Sequence, residues 1–135
     1  MRCVLDTNVL VSAVIPRPSA GSGTAIALFE QARRGRVVLL LHSAVIAEAM
    51  IVMTRHYRMS RETASSIMRS IIEQEGVQVD CPEWIGEALN RFETTTLDFI
   101  DCFVAAISAL DQTPLATFDR QLSRQPGVIP MDLPR

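Results

Sequence analysis

Short apolar runs that stop at turn residues, separated by stretches whose apolar positions recur every three to four residues, constrain this chain more than any other feature. Residues 2–5 carry one such run, which ends at Asp6, and residues 37–41 are an unbroken Val-Val-Leu-Leu-Leu. Runs of this kind are strands buried on both faces. Residues 77–79, 114–117 and 128–129 are weaker runs, which brings the expected total to about five strands. Between them lie helical patterns. Residues 9–15 give the first, and Pro16, Pro18, Gly21 and Gly23 then predict a loop. Ala25, Leu28, Phe29 and Ala32 recur at helical spacing up to Gly35, a natural stop. Ser43 suits the N-cap of a helix running to about Tyr57, and Ser60 that of the next, whose apolar face is Ala64, Ile67, Met68, Ile71 and Ile72. Ile85, Ala88, Leu89 and Phe92 mark a further helix, and residues 98–110 a long one. Parallel neighbours need crossover connections, and the connections here are helical. The pattern therefore predicts an α/β chain, a parallel sheet with helices on both faces in three layers, α/β/α. No linker, repeat or low-complexity segment interrupts residues 1–135, which read as a single domain.

Composition excludes several kinds of chemistry. All 13 basic residues are arginine. Without lysine there is no Walker phosphate loop and no Schiff-base enzyme. The 15 acids leave a formal charge of −2, so the chain is not a uniformly basic nucleic-acid binder. Basic residues do cluster locally, at Arg33, Arg34 and Arg36 and again at Arg55, His56, Arg58, Arg61 and Arg69; a solvated surface is the plain explanation of either cluster, and contact with RNA the functional one. Cys3, Cys81 and Cys102 are odd in number and contain no C-x-x-C pair. They suit buried free thiols in a reducing compartment, so the cytoplasm is expected. The apolar stretch at residues 37–53 contains His42 and Glu48 and falls short of the ~20 residues a membrane-spanning helix needs. No association with a membrane is expected.

The acids are more informative. In open parallel sheets ligands bind beyond the carboxyl ends of the strands, which is where Asp6 and Asp119 fall. Each also suits a turn or a helix cap. Glu48 lies in an apolar helix with Ala44, Val45, Ile51 and Val52 three and four residues away, none of which can pair with it. Such a carboxylate either faces water at a rim or receives a cation. Asp101 has Asp98 as its nearest charged helical neighbour, a like-charge pair that a cation or the helix N-terminus must offset. Acids without paired cysteines, and with only two histidines that lack H-E-x-x-H spacing, favour a hard cation such as Mg2+ or Mn2+ over zinc. No G-x-S-x-G elbow supplies a serine nucleophile.

Four segments in order, Val4-Leu5-Asp6-Thr7-Asn8-Val9-Leu10-Val11-Ser12, the helix bearing Glu48, Asp98-Phe99-Ile100-Asp101-Cys102-Phe103-Val104-Ala105-Ala106, and Ala116-Thr117-Phe118-Asp119-Arg120, resemble a PIN domain along the whole chain. The resemblance implies a five-stranded parallel sheet with flanking helices and a metal-dependent ribonuclease site. It assigns Asp6, Glu48, Asp101 and Asp119 as catalytic metal ligands, Asn8 and Thr117 as hydrogen-bonding groups behind them, and Asp98 as an extra acid found in many members. The chain departs from the family pattern at residues 17–24 and after Val128, which bears on substrate choice. Many small bacterial members are VapC-type toxins held by an antitoxin and working as dimers, so an RNA substrate, an antitoxin partner and a homodimer are implied. A housekeeping RNA-processing nuclease and a non-catalytic RNA-binding domain are the alternatives. The full set of acids argues against the second. An aspartyl-nucleophile phosphohydrolase would want D-x-D and a lysine, and Asn8 stands where the second acid would be.

Overall fold

β2, Val38–Leu41, is the strand around which the first part of the chain is built. It has no polar side chain, and Leu39 and Leu41 are fully buried. It pairs in parallel on both sides. β1 (Arg2–Val4) joins it in the register Arg2↔Val38 to Val4↔Leu40, and β3 (Val77–Val79) in the register Leu39↔Val77 to Leu41↔Val79, giving the order β1-β2-β3. The structure is a computed structural model that describes residues 1–15 and 20–135. Contacts group these into two compact units, Met1–Cys81 and Pro82–Arg135.

In the first unit the crossovers are helical, as the periodicity predicts. α1 (Thr7–Val14) and α2 (Ala20–Arg33) connect β1 to β2; α3 (Ser43–Ile51), a π-helical turn (Val52–His56) and α4 (Arg61–Ile72) connect β2 to β3. Ile46, Met50, Met53, Ala64 and Met68 from the second crossover are buried to 1% or less, and each of the larger ones contributes roughly 1.5–3 kcal/mol by leaving water. The loop expected around Gly21 and Gly23 is instead the start of α2; Pro16 and Pro18 lie outside the described residues. Helix α3 also starts differently. Its N-cap is His42, whose Nδ1 accepts from the Ala44 amide at 3.2 Å, and Ser43 is its first residue.

The helix that begins at Ser43 changes pitch before it ends. Thr54 donates its hydroxyl to the Met50 carbonyl at 2.7 Å, and the Tyr57 amide reaches back to Val52. A hydroxyl bonded into the preceding turn competes with the backbone ladder and bends it. Arg58 then adopts a left-handed conformation, φ 55°, and closes the corner into α4, which Ser60 caps through the Thr63 amide. At the far end of α4, Gly76 (φ 86°) lets β3 pass against α2, because a Cβ there would collide with the Ala32 carbonyl.

The second unit is a helix pair, α5 (Pro82–Thr94) against α6 (Phe99–Asp111), followed by the short α7 (Arg120–Ser123). Phe92 meets Phe99 edge to face at 5.8 Å between centroids, and Trp84 meets Phe103 at 6.2 Å. The two further strands expected at residues 114–117 and 128–129 are not formed. The described sheet has three strands rather than about five, and these segments make one isolated parallel bridge, Leu115↔Pro130. Pro114 and Pro130 carry no amide hydrogen, so the pairing stops at the bonds Leu115 N–H to Ile129 and Met131 N–H to Leu115. No helix is long and apolar enough to cross a membrane among the described residues.

Candidate active site

Asp6 follows β1 after one intervening residue and caps α1 with extended backbone (φ −91°, ψ 153°), while its side chain makes no capping bond. That leaves an exposed Asp6 with an uncommitted carboxylate beyond the carboxyl end of β1. Asn8, also exposed, lies in the first turn of the same helix. Glu48 belongs to α3, which packs against α1. It faces solvent, so of the two resolutions open to a carboxylate on an apolar helix the chain adopts the rim. No hydrogen bond or ion pair among the described residues engages the side-chain carboxylate of Asp6, Glu48 or Asp101. These are three carboxylates with no protein partner to satisfy.

In the second unit Asp98 is the N-cap of α6 and Asp101 sits in its first turn, half-buried. Asp119 caps α7, its Oδ1 accepting from the Leu122 amide at 3.0 Å. Thr117 supports it from behind: its hydroxyl oxygen accepts from the Asp119 amide at 3.0 Å. Burial, then the neighbouring charge of Asp98, then that of Asp119 push the Asp101 carboxyl above its ordinary range. The fold thus places Asp98, Asp101 and Asp119 within electrostatic reach of one another. Asp6 and Glu48 belong to the other unit.

The donor set suits a divalent cation in its chemistry: all the uncommitted groups are carboxylate oxygens, and the crowding at Asp101 is the repulsion that a hard cation would relieve. As the side chains stand, no three His, Cys, Asp or Glu residues among those described form a group that holds a metal ion.

Sequence reasoning missed one polar centre. Asp80, immediately after β3, accepts from the Ser43 amide at 2.9 Å, from the Ser43 hydroxyl at 3.0 Å and from His42 Nε2 at 3.1 Å. His42 thus presents Nδ1 to the Ala44 amide and Nε2 to Asp80. Burial pushes this carboxyl up, but bonds from the Ser43 hydroxyl and Cys81, the charge of His42 and the Ser43 amide together hold it below the ordinary range. The same surroundings raise the Cys81 thiol to about 11, burial first and the bond to Asp80 second, so it is no nucleophile at neutral pH. The available signal was position: Asp80 follows β3 as Asp6 follows β1.

The basic residues lie at the α3–α4 corner and along α4. Arg55, His56 and Arg58 are exposed there, and Arg61 and Arg69 are half-buried on α4. No curated protein matches the chain at a significant level. The model of the PIN domain matches residues 3–128, which takes in every acid named above. The chain belongs to the PIN domain family, whose members are generally nucleases.

Proposed function

We propose that this protein is a metal-dependent endoribonuclease that hydrolyses RNA phosphodiester bonds with Asp6, Glu48, Asp101 and Asp119 as its catalytic carboxylates. The observation that carries the proposal is the half-buried Asp101 carboxyl, pushed up by burial and then by the neighbouring charges of Asp98 and Asp119, in a chain of a nuclease family. A bound Mg2+ or Mn2+ would lower the pKa of its water and neutralise charge on the leaving oxygen. The four acids would hold that ion. Thr117 fixes the backbone of Asp119, and Asn8 stands ready to hydrogen-bond beside Asp6. In the net reaction the water oxygen bonds to phosphorus, one ester P–O bond breaks, and the departing oxygen takes a proton. Arg55, Arg58, Arg61 and Arg69 serve to guide the RNA backbone, because an acidic site repels phosphate until it is metal-loaded.

The small PIN chain also supports a VapC-like toxin role, with an antitoxin protein as partner, a homodimer as the working form and the cytoplasm, suited to its free cysteines, as the compartment. A housekeeping RNA-processing enzyme would use the same residues. Cleavage of a labelled single-stranded RNA by the purified chain in magnesium tests the activity. The parent should cut internally, and Asp6→Asn and Asp119→Asn should each reduce cleavage by at least ~100-fold, the scale lost when one charge-stabilising group is removed from a catalytic site. Parent-like rates in both variants would refute the assignment.

A further inference from the structure

Phe118 is the most exposed large apolar residue among those described, at 96%, and its position accounts for this. It occupies the middle of a turn closed by the Asp119 amide on the Thr117 hydroxyl oxygen. That turn is anchored on its far side by Asp119 Oδ1 on the Leu122 amide, by buried Leu122, and by Gln121 Nε2 donating to the Thr96 hydroxyl at 3.3 Å. The ring is held out into water by a braced support. A second exposed apolar side chain, Ile100 at 55%, directly precedes Asp101. Covering the phenyl ring with an apolar protein surface would also desolvate the neighbouring Asp119 carboxylate, which is costly without a cationic partner. A nucleotide carries what this surface lacks: a flat π face for the ring, and a phosphate whose charge suits both Arg120 and a cation held by the acids.

We infer that Phe118 is a base-stacking residue that takes the face of an unpaired nucleobase beside the Asp98–Asp101–Asp119 acids and so positions the RNA strand. The inference rests on the nuclease function proposed above, and its test separates the two. Parent, Phe118→Ala, Phe118→Leu and Phe118→Trp proteins are compared on a labelled single-stranded oligoribonucleotide and on its duplex, in magnesium, with KM and kcat measured separately. Removing the ring in Phe118→Ala or Phe118→Leu should raise KM for the single strand by roughly 5- to 100-fold with a smaller effect on kcat, the range seen when a stacking aromatic is lost. Phe118→Trp should keep the parent KM, and its added fluorescence, over the baseline of Trp84, should be quenched by the single strand. An unchanged KM in Phe118→Ala, or a parent-like Phe118→Leu, would overturn the stacking role. So would a Phe118→Ala protein that unfolds at lower temperature or loses a dimer, since the ring would then belong to a protein contact. A parent that cuts no RNA refutes the nuclease function alone; quenching of the added indole in the Phe118→Trp protein by single-stranded RNA then still decides the stacking role, and its absence ends it.

Discussion

Asp101 can be explained in two ways, and they have opposite consequences. As a helix-favouring acid in the first turn of α6 it would stabilise the fold by about 0.3–1 kcal/mol, and its amide analogue would cost that much. The surroundings favour the other explanation. A carboxyl whose pKa is raised by burial and by Asp98 and Asp119 is destabilising when ionised: the penalty is absent below the ordinary carboxylate range and complete above the raised value, so it is present at neutral pH. Asp101→Asn should therefore unfold at the parent temperature or slightly above it at pH 7 in chelator, while RNA cleavage in magnesium falls by about 100-fold or more. Thermal unfolding and a cleavage assay on one preparation measure both. A destabilised variant that cuts at the parent rate would make Asp101 a capping acid.

The α3 helix, which carries Glu48, has its N-terminus tied to the end of β3 through Asp80. Asp80→Ala removes the acceptor for the Ser43 amide, the Ser43 hydroxyl and His42 together, and should cost about 1–2 kcal/mol, a few degrees in unfolding temperature, with Asp80→Asn intermediate. The depressed carboxyl gives the sign with pH: its contribution is complete above the ordinary carboxylate range and is lost as pH falls through the lower folded-state value. The gap between parent and Asp80→Ala should accordingly close in acid, and a gap constant from pH 7 to pH 2 would contradict the assignment. Elements of this kind were unevenly legible. The apolar run of β2 and the 3.6-residue period of α4 and α5 stand out because burial writes them directly into the residue order. Leu115 and Ile129 look equally strand-like, yet Pro114 and Pro130 limit their pairing to a single bridge. Gly21 and Gly23 suggest a loop by propensity but are helical, as tertiary packing of Ala25 and Phe29 outweighs a weak local preference. The position of Asp80 after β3 was legible, but its partnership was not, because His42 and Ser43 are distant in sequence and meet it only once β2 and β3 are paired.

For the molecule as a whole, the sequence identifies the family through an ordered set of acids, and the fold explains why those acids are available. Asp6 lies at a strand end, Glu48 on a rim, and Asp101 and Asp119 in first-turn and cap positions whose backbone bonds leave carboxylate oxygens over. Phe118 was not legible as a functional residue, since nothing in residue order separates an exposed ring from a buried one until the turn is known. A net charge of −2 and acids such as Asp101 do not attract phosphate unaided, so the proposed cleavage would need a cation. The direct measurement is cleavage of single-stranded RNA by the full chain before chelation, in excess chelator, and after Mg2+ or Mn2+ is restored above the chelator. Activity should vanish in chelator and return with either ion, because the ligand set is all oxygen. Undiminished cleavage in excess chelator would contradict the metal-dependent mechanism.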